Sequence, residues 1–210
     1  MDKQEYLNQI SAANRPEKSG GKLSKLFSSK IFLLIVGAVA AFILLAIIGA
    51  VLSGSRGGME SDSYALKMRI DNTMSVVNNY RKLIKSSVLR SDSVSLQSVL
   101  SNTNRDLDSY LADKYKRKSS EINKAIGEKK VEQLTLEKDG LEAELFEAKI
   151  NGNLDRIYAH KLSYEISVIM SEESKIYNGD SDDTLKNILS TSYSSLENLY
   201  NSISNFSEAK

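Results

Sequence analysis

The side chains that could do chemistry are few, and their spacing narrows the choice further. His160 is the single histidine and there is no cysteine. Disulfides, cysteine nucleophiles, zinc–thiolate sites and multi-histidine metal sites are therefore excluded. Glu165 is close enough along the chain to pair with His160 as a general base, but neighbouring residues supply neither a nucleophile nor an oxyanion hole. His160 is expected to be an ordinary surface or boundary residue. Glu142, Glu144, Glu147, Glu172 and Glu173 suggest a carboxylate metal site between helices. Such sites use Glu-x-x-His on facing helices, and that motif is missing. These acids are expected to solvate an outer face and to pair with Lys138, Lys149 and Lys175. Asp180, Asp182 and Asp183 begin like a calcium loop, but the glycine and glutamate that the loop requires later are replaced by Leu185 and Thr191. Helix capping accounts for them better. No phosphate-binding loop, dinucleotide fingerprint or nucleophile elbow occurs. The expectation is a non-enzymatic chain with no catalytic residue, no metal site and no cofactor.

One cluster combines basic and aromatic side chains: Lys114, Lys116, Arg117 and Lys118 beside Tyr110 and Tyr115. It could meet an anionic partner such as teichoic acid, lipid headgroups or nucleic acid. The competing reading is a solvated helix end. Residues 53 to 210 carry 22 basic and 24 acidic side chains, so bulk charge does not drive them onto a polyanion. Nucleic acid is not expected as a partner.

The elements that position these residues follow from apolar periodicity. Ile70, Met74, Val77, Ile84 and Val88 keep the spacing of three to four that marks one helical face. Ser91-Asp92-Ser93 offers capping side chains and predicts a break. Leu96, Leu100, Thr103, Leu107 and Tyr110 or Leu111 resume the pattern, as do Leu134, Leu141, Leu145 and Ala148. The charge-rich stretch 113–133, with Ile122 and Ile126 as sparse apolar points, fits either an exposed helix or a loop. Asn151-Gly152-Asn153 reads as a turn, because Asn and Gly tolerate a left-handed backbone. Leu154, Tyr158, Leu162, Ile166, Ile169 and Ile176 follow helically. A second turn comes at Asn178-Gly179-Asp180-Ser181, with cap candidates from Ser181 to Asp183. Leu185, Leu189, Ser192, Leu196, Leu199, Ile203 and Phe206 then hold a heptad rhythm. No stretch alternates like a strand. The reading is all-α: an elongated, coiled-coil-like antiparallel bundle over 61–208, with four or five helices of roughly 25 to 32 residues each.

Ahead of the bundle lies IFLLIVGAVAAFILLAIIGAVL, residues Ile31 to Leu52, with no charged or hydrogen-bonding side chain. Its 22 residues make a helix of about 33 Å, enough for a hydrocarbon core of ~30 Å. Fifteen are Leu, Ile, Val or Phe, which favours insertion by roughly 5 to 9 kcal/mol. A cleaved signal would be shorter, and its small-residue site would follow the apolar run. Here Ala38-Val39-Ala40 lies inside it, which favours a retained anchor. Residues 1–30 form a tail of net charge +3, with Lys18, Lys22, Lys25 and Lys30 near the span. The positive-inside rule then puts the tail in the cytoplasm and the bundle outside the cell membrane. Residues 53–60 read as a flexible linker by their Gly and Ser content. Gly37 with Ala41, and Ala46 with Ala50, are small-xxx-small pairs that permit close contact with another membrane helix.

The order of MDKQEYLNQIS, the basic approach GGKLSKLFSSK, one span and a Ser/Asn/Lys-rich helical segment resembles single-pass membrane proteins of Saccharibacteria-like candidate-phylum bacteria. The likeness rests on the first ~55 residues and composition. It brings no chemical motif, so no site residue is carried over; it implies a cell-surface setting. The function expected is protein–protein interaction or surface assembly by a membrane-anchored helical protein, with the bilayer and a protein partner or a second copy in contact with it. The alternative is a ligand-sensing or accessory subunit of a membrane complex.

Overall fold

In a computed structural model, residues 58–206 apart from Ser181 are described. The tail, the apolar run 31–52, its small residues Gly37, Ala41, Ala46 and Ala50, and the linker up to residue 57 lie outside the described residues. The described residues contain six α-helices and no strand: α1 (Gly58–Tyr80), α2 (Ser87–Tyr115), α3 (Ser119–Ile126), α4 (Glu128–Ile150), α5 (Leu154–Gly179) and α6 (Asp183–Ser204). A short 3-10 turn, Arg81–Leu83, follows α1. Among the described residues no helix is long and apolar enough to cross a membrane.

Cross-helix contacts set the directions. Lys67 meets Asp108 and Asn104 meets Asp71, so α1 and α2 run antiparallel. Thr103 bonds Ser192 and Ser202 bonds Asp92, which does the same for α2 and α6. Asn72 and Tyr80 of α1 reach the carbonyls of Leu134 and Glu142, so α4 runs parallel to α1. Helix α1 touches α2, α3, α4 and α5, and α5 touches α1, α4 and α6. The core is continuous through Leu66, Ile70, Leu96, Leu100, Leu107, Leu145, Ile166, Leu189 and Leu196, all essentially without solvent contact.

The predicted stripes of α2, α4, α5 and α6 point inward, apart from Leu199 and Phe206, which are only half-buried. Two boundaries and the helix count are corrected: among the described residues six helices, one of only eight residues, stand where four or five long ones were expected. Gly58, Met59 and Glu60, expected in the linker, belong to α1. The break expected at Ser91-Asp92-Ser93 comes earlier, at residues 81–86. Ser86 is the cap there, accepting from Leu89 N–H at 3.3 Å, while Ser93 turns back onto the Leu89 carbonyl at 2.7 Å. The corner resets the helical phase, so Val88, expected on the inner stripe, is exposed. The ambiguous stretch 113–133 holds the end of α2, all of α3 and the start of α4. Helix α2 stops at Tyr115 because Lys116 takes a left-handed φ of 54°. Gly152, φ 72°, makes the α4–α5 turn as expected.

Candidate functional site

The strongest constellation of charge lies where α1, α4 and α5 meet. Arg69, on the inner side of α1, is buried. Its Nη2 donates to Glu137 at 2.7 Å, Nε to Glu172 at 3.1 Å and Nη1 to Glu165 at 3.4 Å. Gln133 donates to the other oxygen of Glu137 at 2.6 Å, and Lys130 approaches Glu172 at 4.0 Å. Burial works against the Arg69 charge, but Glu172, Glu137 and Glu165 outweigh it and raise its pKa. Burial pushes the Glu165 carboxyl up; Arg69 draws it back, while Glu137 and Glu172 add to the rise. Glu137 is more exposed, and hydrogen bonds from Gln133 and Arg69 overcome its burial and lower its pKa. The cavity beside the cluster, lined by Asn72, Thr73, Leu134 and Leu141 among others, holds only about 10 Å³, scarcely one water. The cluster fastens three helices and leaves no room for a substrate.

About a quarter-turn further round α5, Glu173 is 1% exposed and neither carboxyl oxygen has a hydrogen-bond partner. Burial pushes its pKa up to about 8; the Ser192 hydroxyl is near enough to restrain the rise but does not reach hydrogen-bond geometry. The expectation that Glu173 solvates an outer face is thus overturned: it occupies the inward phase between Ile169 and Ile176. Glu172, from the same expected set, is turned to Arg69, while Glu144 does pair at the surface, with Lys161 rather than Lys138 or Lys149. Lys175 pairs with Asp62 instead of a glutamate. Asp182 caps α6 by accepting from Thr184 and Leu185 N–H, as its position predicts. His160 is exposed. Among the described residues no group of His, Asp and Glu side chains is arranged to hold a metal ion.

The basic-aromatic cluster is partly consumed by the fold. Lys114 donates to the Tyr110 hydroxyl, sits over the Tyr110 and Tyr115 rings at 4.9 and 5.6 Å, and reaches Asp180 and Asp182 at 3.5 and 3.4 Å. It ties the end of α2 to the start of α6. Arg117 pairs with Glu60 at 2.7 Å, tying the same corner to α1. Lys116 and Lys118 stay exposed, and among the described residues no carboxylate lies within ion-pair distance of either. Two of the four basic residues are therefore free to meet an anion.

The periodicity also left one surface unnoticed. Helix α4 buries Leu134, Leu141, Leu145 and Ala148, yet Leu136, Phe146 and Ile150 on its opposite side are 63%, 55% and 69% exposed. Gly140 and Ala143, on the same side, are exposed as well. The helix is apolar on two faces, and only one is covered. The signal was in the sequence: Leu136, Ala143 and Ile150 recur at heptad spacing beside the inner stripe.

No protein-family model, curated protein or solved structure matches this chain.

Proposed function

We propose that this chain is a non-catalytic, single-pass membrane protein. Its elongated antiparallel helical domain stands outside the cell and works by protein–protein contact through the outer face of α4. The observation that carries the reading is the exposed stripe Leu136, Ala143, Phe146 and Ile150 on a helix that already has a full inner stripe. Contiguous apolar surface of this kind on a water-facing helix marks an interaction site. The run Ile31 to Leu52 supports the anchor, and the lysines on its N-terminal side (Lys18, Lys22, Lys25 and Lys30) support the orientation. The small-residue pairs Gly37/Ala41 and Ala46/Ala50 favour a second reading, an accessory subunit that meets another membrane protein through the span.

A photoreactive side chain at Phe146 of the full chain in native membranes is expected to capture protein, whereas the same probe at exposed Ser194 captures none. Equal or absent capture at both positions overturns the α4 reading. Retention in the membrane fraction through alkaline extraction, lost when 31–52 is deleted, is the outcome expected for the anchor; release of the intact chain overturns it.

A further inference from the structure

The outer face of α4 carries an order of side-chain sizes that matches itself when reversed. Ala143 is the centre; Leu136 and Ile150 lie seven residues to either side, and Gly140 and Phe146 three. When two such helices lie antiparallel about a two-fold axis beside Ala143, Leu136 of one copy is level with Ile150 of the other. Phe146 is level with Gly140 across the interface, and Ala143 meets its own copy. On one flank Asp139 of each copy comes to the same side as Lys149 of the other, so opposite charges adjoin.

Gly140 adds an independent observation. It sits mid-helix, where glycine weakens the helix. A Cβ built on it meets nothing within 4 Å, so packing inside the protein does not call for glycine. The space it leaves lies on the outside, level with the Phe146 of an antiparallel copy.

We propose that the chain self-associates as an antiparallel dimer through the outer faces of α4. The proposal rests on the reading of that face as the interaction surface and names its occupant: a second copy. The apolar stripe covers on the order of 400 Å² per protomer, about half of what a standard interface buries on each side. Flanking polar residues complete the contact, and pairing is weak in dilute solution. Tethering to one bilayer raises the effective concentration and strengthens it.

The chain has no cysteine, so single cysteines report on the geometry directly. In the full chain in membranes, Ala143→Cys is expected to cross-link to itself under mild oxidation, and Ser194→Cys is not. Chains carrying Leu136→Cys mixed with chains carrying Ile150→Cys are expected to form a mixed cross-linked dimer, while neither cross-links alone. Gly140→Lys is expected to bring Ala143→Cys cross-linking down to the Ser194→Cys level without lowering the unfolding temperature, because lysine suits an exposed helix better than glycine. Self-cross-linking of Leu136→Cys, cross-linking at Ala143 no better than at Ser194, or indifference to Gly140→Lys overturns the dimer. If the dimer fails while the probe at Phe146 still captures a different protein, the second copy is wrong and the surface reading stands. If both fail, the surface reading falls too.

Discussion

Helix α5 has two sides, and the core is built differently on each. Toward α1 and α4 it meets charge: Glu165 and Glu172 bind Arg69, whose guanidinium also holds Glu137. Toward α6, whose inner stripe is Leu185, Leu189 and Leu196, it packs against hydrocarbon, with Glu173 buried near the Ser192 hydroxyl. Glu172 and Glu173 are neighbours in sequence, yet one is satisfied by a cation and the other by nothing. Arg69 helps to hold the Glu137 carboxyl below the ordinary carboxylate value, whereas burial without a cation lifts Glu173 to about 8. The two sides teach that burial alone does not decide charge state; the partner across the helix does.

The largest expected effect comes from deleting the cation. Arg69→Ala leaves three carboxylates facing one another with two of them largely desolvated, and is expected to cost roughly 3 to 5 kcal/mol in chemical denaturation. A cost below about 1 kcal/mol would erase the contrast between the two sides.

Glu173 sharpens it with the opposite sign. Its folded pKa, about 8, lies above the ordinary carboxylate value, so between the two the folded protein holds a proton that the unfolded chain has released. Stability should therefore fall as pH rises from about 4.5 to 8, and Glu173→Gln should remove that slope and gain roughly 3 kcal/mol near pH 7. Parallel pH profiles for the two proteins would sink the assignment of a neutral buried acid.

Next in size is the corner that joins the two sides. Buried Asp155 accepts from Lys85 N–H at 3.0 and 3.1 Å and from Ser86 N–H at 2.7 Å, pinning the α1–α2 connection to the start of α5. Asp155→Ala is expected to cost about 2 to 3 kcal/mol and to speed amide exchange at Lys85 and Ser86. Unchanged exchange at those two amides would show that the corner holds without it. The smallest effect is at Tyr158, whose hydroxyl donates to Ser93 at 3.1 Å on the apolar side. Tyr158→Phe should cost about 1 kcal/mol, since Ser93 still donates to the Leu89 carbonyl. A loss as large as that of Arg69→Ala would mean that the apolar side also depends on a polar tie.

The stripes of α2, α5 and α6 were legible because a helix that buries one side must repeat an apolar residue every three to four positions. The corner at 81–86 was not, since it contains neither glycine nor proline. It is fixed by Asp155, about seventy residues away, and local sequence does not record such a tie. Arg69 escaped because pattern reading assigns charge to the outside, and its partners lie in two other helices. A clue existed at Glu173: Leu162, Ile166, Ile169, Glu173 and Ile176 keep one phase, so the acid stood in line with the core. The outer stripe of α4 was also written in the sequence, but its inner stripe answered the question of helicity first.

The fastenings around the first turns of α1 give the molecule a mechanical character. Glu60 is held by Arg117, Ser61 donates to the Ile126 carbonyl at 3.0 Å, and Asp62 is held by Lys175 at 2.9 Å. Tension entering through the chain before Gly58 reaches these three links, to three different parts of the bundle, before it reaches the hydrocarbon core. A pull on that end therefore loads these partly exposed ties first, each weak by itself, and the end of α6 is likewise tied, by Ser202 to Asp92.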